Sequence, residues 1–273
     1  MLSSLDAIGI FDSGMGGLTV LKALQQHLPY ENFIYLGDTA RLPYGTKSAD
    51  TVIQYALQAA NLIRQHPIKL LVIACNTASS VALQALQAEL SPIPVIGVVT
   101  PGAKACLEVS KSKRIGILAT ESTVKFNAYG QIFNKLEPEA LIYQWPCSLL
   151  VPLVEEGWTS GKLVEQIIMK LLNTCLNEMT QFKIDTILLG CTHFPVLREA
   201  IQTVLGPNIN LVDSAKTTAL AVQEELKARG LLRGSAESGQ LRLMATDKLT
   251  RFSEVAAVFM GQHFQSNVEW ISL

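Results

Sequence analysis

Short runs of apolar residues alternate along the chain with longer segments that have a helical period. The runs are rich in Val, Ile and Leu, which is typical of strands buried on both faces. They are IGIF (8–11), FIYL (33–36), LLVIA (70–74), PVIGV (94–98), RIGILAT (114–120), TILLG (186–190), INLV (209–212) and LRLMA (241–245). Because strands separated by helices return in the same direction, this alternation predicts an α/β fold with doubly wound parallel sheets.

The segments between these runs predict helices. The clearest candidates span residues 17–28, 48–66, 77–90 and 214–230. Gly230 closes the last of them, since glycine is the common residue just past a helix end.

Two stretches mark places where the chain is expected to cross between domains. Residues 91–104, SPIPVIGVVTPGAK, contain three prolines and two glycines, and residues 205–214 form a second candidate crossing. We therefore predict a first α/β domain made of residues 1–98 plus 210–273 and a second of residues 99–209. Together they would be pseudo-symmetric, with an active site between them.

A faint self-similarity links the two predicted domains. Residues 70–80 (LLVIACNTASS) and 186–196 (TILLGCTHFPV) each contain an apolar strand, a cysteine, polar residues and the start of a helix. This layout places Cys75 and Cys191 at the carboxyl ends of buried strands, where doubly wound sheets bind their ligands. A lone cysteine at such a position is usually a small buried apolar residue, but a matched pair favours a site.

Two facing thiols suit the inversion of a stereocentre. That reaction removes a proton from one face of a carbon and delivers another to the opposite face, and thiols can do both near neutral pH. Each thiol needs a neighbour that shares its proton, and Asp12 and His193 are the candidates. We assign Cys106, Cys147 and Cys175 to packing, and the remaining histidines, His27, His66 and His263, to surface or helix-end positions.

Three further loops follow predicted strands. The glycine-rich segment IGIFDSGMGGLTVL offers backbone N–H groups to an anion, but it matches neither a dinucleotide fingerprint nor a phosphate loop. Asp12 could instead cap the helix, and Thr120 in LATESTVKF could do the same. In GDTARLPYGTKS the sequence Pro43-Tyr44-Gly45 could be a plain turn or could bring backbone N–H groups to a carboxylate.

Composition narrows the class of protein. Lysine and arginine total 22 against 23 aspartate and glutamate, and they are scattered, so we expect no nucleic-acid or membrane partner. No apolar run reaches bilayer length, and the amino terminus lacks signal-peptide features, so we expect a cytoplasmic protein. The five cysteines are widely spaced without a C-x-x-C pair, which predicts reduced thiols and no metal.

The motifs FDSGMGGLTVL, LGDTARLPYG, IACNTAS, LATEST, VPLVEEG and LLGCTHFPVL, in this order, resemble those of glutamate racemases in the aspartate/glutamate racemase superfamily. The resemblance implies a cofactor-independent enzyme that makes D-glutamate for peptidoglycan and cell shape. It implies no metal, pyridoxal phosphate or nucleotide.

The resemblance also assigns roles to residues. Cys75 would act on the D-enantiomer and Cys191 on the L-enantiomer, assisted by Asp12 and His193, with Glu155 an acidic group near the second thiol. The predicted substrate contacts are Asp12, Ser13, Pro43, Tyr44, Gly45, Asn76, Thr77, Thr120, Thr123, Thr192 and His193.

Several alternatives stay open at this stage. The substrate could be aspartate or another amino acid, and a cysteine could act as the nucleophile of a hydrolase. A two-lobed ligand-binding protein or a metal hydrolase built on Cys191, His193 and Asp12 is also conceivable. We further expect a homodimer. Only eleven residues precede Asp12, so we expect no activation by a peptidoglycan precursor of the kind tied to an amino-terminal extension.

Overall fold

The structure is a computed structural model that describes residues 2–234, 237–247, 249–261, 264 and 267–273. Ten strands lie in these parts of the chain. They are β1 (Ala7–Asp12), β2 (Phe33–Gly37), β3 (Ile68–Ile73), β4 (Val95–Gly97), β5 (Arg114–Ala119), β6 (Leu141–Pro146), β7 (Thr186–Gly190), β8 (Asn210–Asp213), β9 (Leu241–Ala245) and β10 (Val268–Trp270).

The strands form two sheets in which every pairing is parallel. The first sheet has the order β10-β9-β2-β1-β3-β4, and the second has the order β6-β5-β7-β8. This arrangement confirms the predicted α/β class of doubly wound parallel sheets. All eight predicted runs are strands in the structure.

Helices cover both sheets. They are α1 (Leu18–His27), α2 (Ala49–Ile63), α3 (Asn76–Val81), α4 (Leu83–Leu90), α5 (Val99–Val109), α6 (Glu121–Phe126), α7 (Ala128–Leu136), α8 (Leu150–Glu155), α9 (Lys162–Phe182), α10 (Arg198–Leu205), α11 (Ser214–Ala228) and α12 (Leu249–Met260). The predicted helix at 77–90 is broken at Ala82, between α3 and α4. Gly230 follows the end of α11 as predicted. Its φ of 66° lies in the left-handed region, which a residue with a side chain adopts only with strain.

The sequence pattern missed two edge strands, β6 and β10. An edge strand has a neighbour on one side only, so its residues are half-buried or exposed and lack a continuous apolar run. The sequence LIYQWP of β6 mixes a buried Trp145 with polar and exposed positions, and β10 has no buried residue. Periodicity alone gives little signal for such segments.

The division into domains stays a prediction. Strands of the first sheet come from residues 7–97 and 241–270, and those of the second from residues 114–213. Strand β8 pairs with β7 in the second sheet, whereas the predicted boundary at residue 210 would give it to the first domain. Sheet membership therefore favours a second crossing after residue 213.

Apolar side chains pack on both faces of each sheet. One cluster joins α1 and the first sheet to α9, α11 and the second sheet, and two further clusters cover the opposite faces. Helix α11 contacts both α1 and α5, so it lies between the sheets. Within the described residues, no helix combines the length and apolar character needed to cross a bilayer.

A buried ion pair ties three segments to the first sheet. The Nζ atom of Lys69, in β3, contacts the Glu31 carboxylate and donates to the carbonyls of Ser4 at 2.6 Å and Leu231 at 3.0 Å. Both charged side chains are almost fully buried. Burial lowers the pKa of Lys69, and the hydrogen bond to Glu31 opposes that effect.

This ion pair yields a stability prediction. We expect Lys69→Met to lower the free energy of unfolding by about 3 to 5 kcal/mol, because it leaves a carboxylate buried without its cation. The double variant Lys69→Met/Glu31→Gln should lose less than the sum of the single variants. Urea unfolding followed by circular dichroism measures both effects.

The control is the exposed pair of Arg242, in β9, and Glu269, in the neighbouring edge strand β10. Its removal by Arg242→Met should cost less than about 1 kcal/mol, since water solvates the remaining charge. Equal losses at the two pairs would contradict the argument from burial.

Candidate active site

One cavity lies between the carboxyl ends of the two sheets. Its volume is about 360 Å³, within the range of about 300 to 1,000 Å³ typical of small-molecule sites. The lining residues are Ser13, Gly14, Leu42, Pro43, Tyr44, Gly45, Thr46, Cys75, Asn76, Thr77, Thr120, Ser148, Val151, Pro152, Glu155, Cys191, Thr192 and His193.

Twelve of the fourteen residues predicted for the site line this cavity. The exceptions are Asp12 and Thr123, which are 1% and 0% exposed and lie one layer behind the wall. Direct contact of these two residues with a substrate stays a prediction. Both contact residues of the wall: the Gly14 N–H donates to Asp12, and the Thr123 hydroxyl lies within hydrogen-bond distance of those of Thr77 and Thr120.

Cys75 follows β3 and begins α3. Its Sγ atom accepts a hydrogen bond from the Ala78 N–H at 3.4 Å, so the thiol sits at the amino end of that helix. Burial raises the pKa of Cys75 to about 12, the nearby Asp12 adds to the rise, and a hydrogen bond with the Ser13 side chain opposes it. Cys75 therefore carries its proton at neutral pH.

The glycine-rich loop at residues 14–17 encloses Asp12. The Gly14 N–H donates to Asp12 Oδ2 at 3.0 Å, and Tyr35 donates to the same oxygen at 3.4 Å. Burial raises the pKa of Asp12, while the N–H groups of the loop and the charge of His193 lower it. The backbone of the loop thus binds the protein's own Asp12 side chain, and binding of a substrate anion there stays a prediction. Asp12 is not the helix cap, because Gly17 occupies that position.

Cys191 follows β7 and has different partners. Its Sγ atom is 3.8 Å from Nδ1 of His193, whose Nε2 is 3.0 Å from Oε1 of Glu155. Burial alone would lower the pKa of His193, but the hydrogen bonds with Cys191 and Glu155 outweigh it and raise that pKa to about 10. His193 is therefore an imidazolium at neutral pH, placed between a carboxylate and a thiol.

Three threonine hydroxyl groups form a cluster at the cavity. The Oγ1 atoms of Thr77, Thr120 and Thr123 lie 3.0 to 3.2 Å from one another. Thr120 precedes α6 but makes no side-chain capping bond, so the capping interpretation is wrong. Its hydroxyl is instead available at the cavity wall.

Asn76 presents an acceptor without a partner. Its Nδ2 donates to the hydroxyl of Tyr129 at 2.8 Å, which fixes the orientation of the amide. Its Oδ1 atom is buried and has no hydrogen-bond partner among the described residues. A buried acceptor of this kind favours a ligand that brings a donor.

The Pro43-Tyr44-Gly45 segment is both a turn and part of the wall. Tyr44 begins a one-turn 3-10 helix at Tyr44–Thr46, and its hydroxyl donates to the Asp38 carboxylate. Ser122, in α6, donates to the carbonyl of Gly45, which joins the loop to the second sheet's side of the cavity. The loop is therefore fixed on both sides.

The other thiols and imidazoles lie elsewhere. Cys106, Cys147 and Cys175 are buried in the apolar clusters, which agrees with their assignment to packing. His27 ends α1 and bonds the Ala23 carbonyl, whereas His263 lies outside the described residues. Among the residues that the structure describes, no three His, Cys, Asp or Glu side chains group as a metal site would require, so Cys191, His193 and Asp12 are not such a set.

A family model described as Asp/Glu/Hydantoin racemase matches residues 16–222, which is more than half of the chain. The chain belongs to this racemase family. The matched region contains both cavity thiols.

Individual relatives agree with the family model. The glutamate racemase of Geobacter metallireducens is 46% identical over 255 residues, covering 93% of each chain. The crystal structure of the glutamate racemase isoform RacE1 from Bacillus anthracis superposes with a TM-score of 0.92 at 35% identity and 98% coverage of both chains. That of glutamate racemase from Francisella tularensis in complex with D-glutamate gives 0.90 at 34% identity and 98% coverage of both chains.

Some wall residues of this racemase have no signal in the sequence pattern that marks them. Ser148 follows β6, the edge strand that the apolar pattern missed, so nothing placed it at the carboxyl end of a sheet. Val151 and Pro152 belong to the VPLVEEG motif, in which the family resemblance marks only Glu155. Leu42 and Thr46 flank the predicted turn, and Gly14 belongs to the predicted loop.

The two halves of the site touch at Gly16. A Cβ atom added to this glycine would lie 2.4 Å from both Nδ1 of His193 and Oγ1 of Thr192, which is far inside contact distance. Nearby, Thr19 donates to the Thr192 carbonyl at 3.0 Å. The racemase therefore needs a residue without a side chain at this position.

We expect Gly16→Ala to lower racemisation by on the order of a hundredfold, because the methyl group must push His193 away from Cys191. Steady-state kinetics with purified protein measures the loss. Gly234→Ala is the control, since a Cβ atom there meets nothing within 4 Å. Full activity of Gly16→Ala would show that the close contact is dispensable.

Proposed function

We propose that the chain interconverts L- and D-glutamate by proton transfer at the α-carbon, with Cys75 and Cys191 as the two acid/base groups. The observation that carries the proposal is the pairing of unlike partners. One cavity receives a thiol from each sheet, and Asp12 supports one thiol whereas His193 supports the other.

Unlike partners suit the chemistry because the two thiols must hold opposite protonation states. Cys75, beside a buried carboxylate, keeps its proton and can act as the acid. Cys191 lies beside the imidazolium of His193, whose positive charge can stabilise the sulfur while it acts as the base. The family resemblance places Cys191 on the L-enantiomer, so we assign this half of the site to removal of the α-proton from L-glutamate.

In each turnover one proton leaves the α-carbon and one proton is delivered to it. The Cys191 thiolate takes the α-proton of L-glutamate and becomes a thiol, leaving a planar carbanion. The Cys75 thiol gives its proton to the opposite face, forms D-glutamate and becomes a thiolate. Proton exchange through His193, Asp12 and solvent restores the starting state, and the D-to-L direction runs the same steps in reverse.

The cavity can hold an amino acid with two carboxylates. The buried Oδ1 of Asn76 can accept from the substrate ammonium. The threonine hydroxyls, and the backbone N–H groups where α3 and α6 begin, can donate to carboxylates. The similar proteins are named glutamate racemases, so we propose glutamate as the substrate. Aspartate is the main alternative substrate.

The competing cysteine hydrolase would use one thiol as a nucleophile and leave the second without a role. Two thiols with separate partners across one cavity favour proton transfer instead. Incubation in D₂O distinguishes the two, because proton transfer incorporates deuterium at the α-carbon and leaves no covalent adduct on either cysteine.

The proposal extends to the use of the product and the location of the enzyme in the cell. We infer that the D-glutamate supplies peptidoglycan synthesis, as the family resemblance implies, and that the enzyme acts in the cytoplasm, where its five free cysteines stay reduced. The homodimer stays a prediction that sedimentation equilibrium can test.

We expect Cys75→Ala and Cys191→Ala each to lower racemisation by about 10² to 10⁴-fold, since each removes one of the two proton-transfer groups. Serine variants should lose nearly as much, because an alcohol is a far weaker acid than a thiol. Circular dichroism of L- and D-glutamate solutions follows the reaction.

The matched control is Cys175→Ala, which removes a buried thiol of α9 outside the cavity. Its activity should stay within about threefold of that of the parent, because it removes packing and no acid/base group. Retention of full racemisation by either cavity variant would contradict the two-thiol mechanism.

A further inference from the structure

Helix α12 reaches from the first sheet to the end of α8, beside the second thiol. The Nη2 atom of Arg251 donates to the Glu155 carbonyl at 2.8 Å and to the Glu156 carboxylate at 2.8 Å. Glu155 carries the carboxylate that contacts His193. One guanidinium group therefore holds the backbone of the residue that supports the His193 imidazole.

The backbone atom that Arg251 binds is one that α8 leaves unsatisfied. Glu155 is the last residue of α8, and a carbonyl there has no partner within its own helix. A cation at the carboxyl end of a helix also interacts favourably with its dipole. Without this contact the end of a six-residue helix would fray, and the Glu155 side chain would lose its fixed direction.

The same helix packs on both thiol partners. Phe259, in α12, places its ring edge-on to His193, with the ring centroids 5.4 Å apart. Phe252 packs edge-on to Tyr35, which donates to the Asp12 carboxylate. Helix α12 thus supports the neighbour of Cys191 and the neighbour of Cys75 from behind the cavity.

We propose that Arg251 is a positioning residue, which holds the end of α8 so that Glu155 keeps His193 aligned with Cys191. The proposal rests on the proposed function, in which His193 serves the Cys191 thiol. Arg251 does not line the cavity, so it acts through Glu155 and touches no substrate.

The proposal predicts a change in the titration of His193. The titratable groups that face this imidazole are Cys191 from its own loop, Glu155 from α8 and Asp12 from the end of β1. The hydrogen bond with Glu155 is one of the contacts that raise the pKa of His193. A looser Glu155 therefore lowers that pKa, and His193 loses its proton at a lower pH than in the parent protein.

The main test is Arg251→Met, which keeps an unbranched apolar stem and removes the guanidinium. We expect kcat to fall by about tenfold to a hundredfold with KM nearly unchanged, because the defect is one of alignment. The alkaline limb of kcat against pH should move to lower pH. Nuclear magnetic resonance of ¹⁵N-labelled His193, without substrate, should show the same shift independently of activity.

Three variants separate positioning from other effects. Arg251→Lys keeps the charge but has a single ammonium for two acceptors, so we expect an intermediate shift. Arg229→Met removes an exposed arginine that pairs with Glu225 on the surface of α11, and it should change neither readout. In a Glu155→Gln background, Arg251→Met should have no further effect on the titration of His193.

The outcomes are distinct. An unchanged His193 titration and kcat in a folded Arg251→Met protein would overturn the positioning role, even when the cysteine variants are inactive. The positioning role is also overturned if Arg251→Met shifts the titration of His193 as much in the Glu155→Gln background as in the parent protein. Racemisation that survives in the cysteine variants would instead refute the proposed function, whereas the titration of His193 would still report on Arg251.

Discussion

The close contact between the glycine-rich loop and the loop after β7 is the constraint on which the site depends. Each loop leaves the carboxyl end of a parallel strand, and the two strands belong to different sheets. Gly16 lets the His193 ring and the Thr192 hydroxyl come closer than any side chain would allow. This contact brings Cys75 and Cys191 to the same cavity, so that the two sides of a small molecule can each meet a thiol.

Burial shifts the pKa values of titratable groups in both halves of the site, and their neighbours decide the outcome. It raises the pKa of Cys75 because a buried thiolate loses its hydration, and the adjacent carboxylate of Asp12 adds to the rise. Burial alone would lower the pKa of His193, but the hydrogen bonds with Cys191 and Glu155 outweigh burial and raise that pKa. A pseudo-symmetric backbone therefore carries an asymmetric set of charges, as a reaction between two complementary protonation states requires.

The sequence predicted the parallel sheets and the cavity thiols because both leave local signals. A buried strand is a continuous apolar run, and a cysteine followed by polar residues at its carboxyl end stands out. The pattern failed where the signal is not local: β6 is an edge strand, so Ser148 could not be placed. Burial of Asp12 and Thr123 behind the wall also depends on contacts between distant segments, which periodicity does not encode.

The residues behind the cavity wall also leave no local signal in the sequence, and α12 is the main example. Residues that line the cavity come from loops and short helices between residues 13 and 193, whereas α12, at 249–260, supplies only contacts from behind. Arg251 has no motif that marks it, because its partners are a backbone carbonyl and a surface carboxylate. By returning to the first sheet after β8, the chain places this helix against the partners of both thiols. Because strands of the first sheet come from both before and after the second sheet in the sequence, one late helix can contact the partners of both thiols.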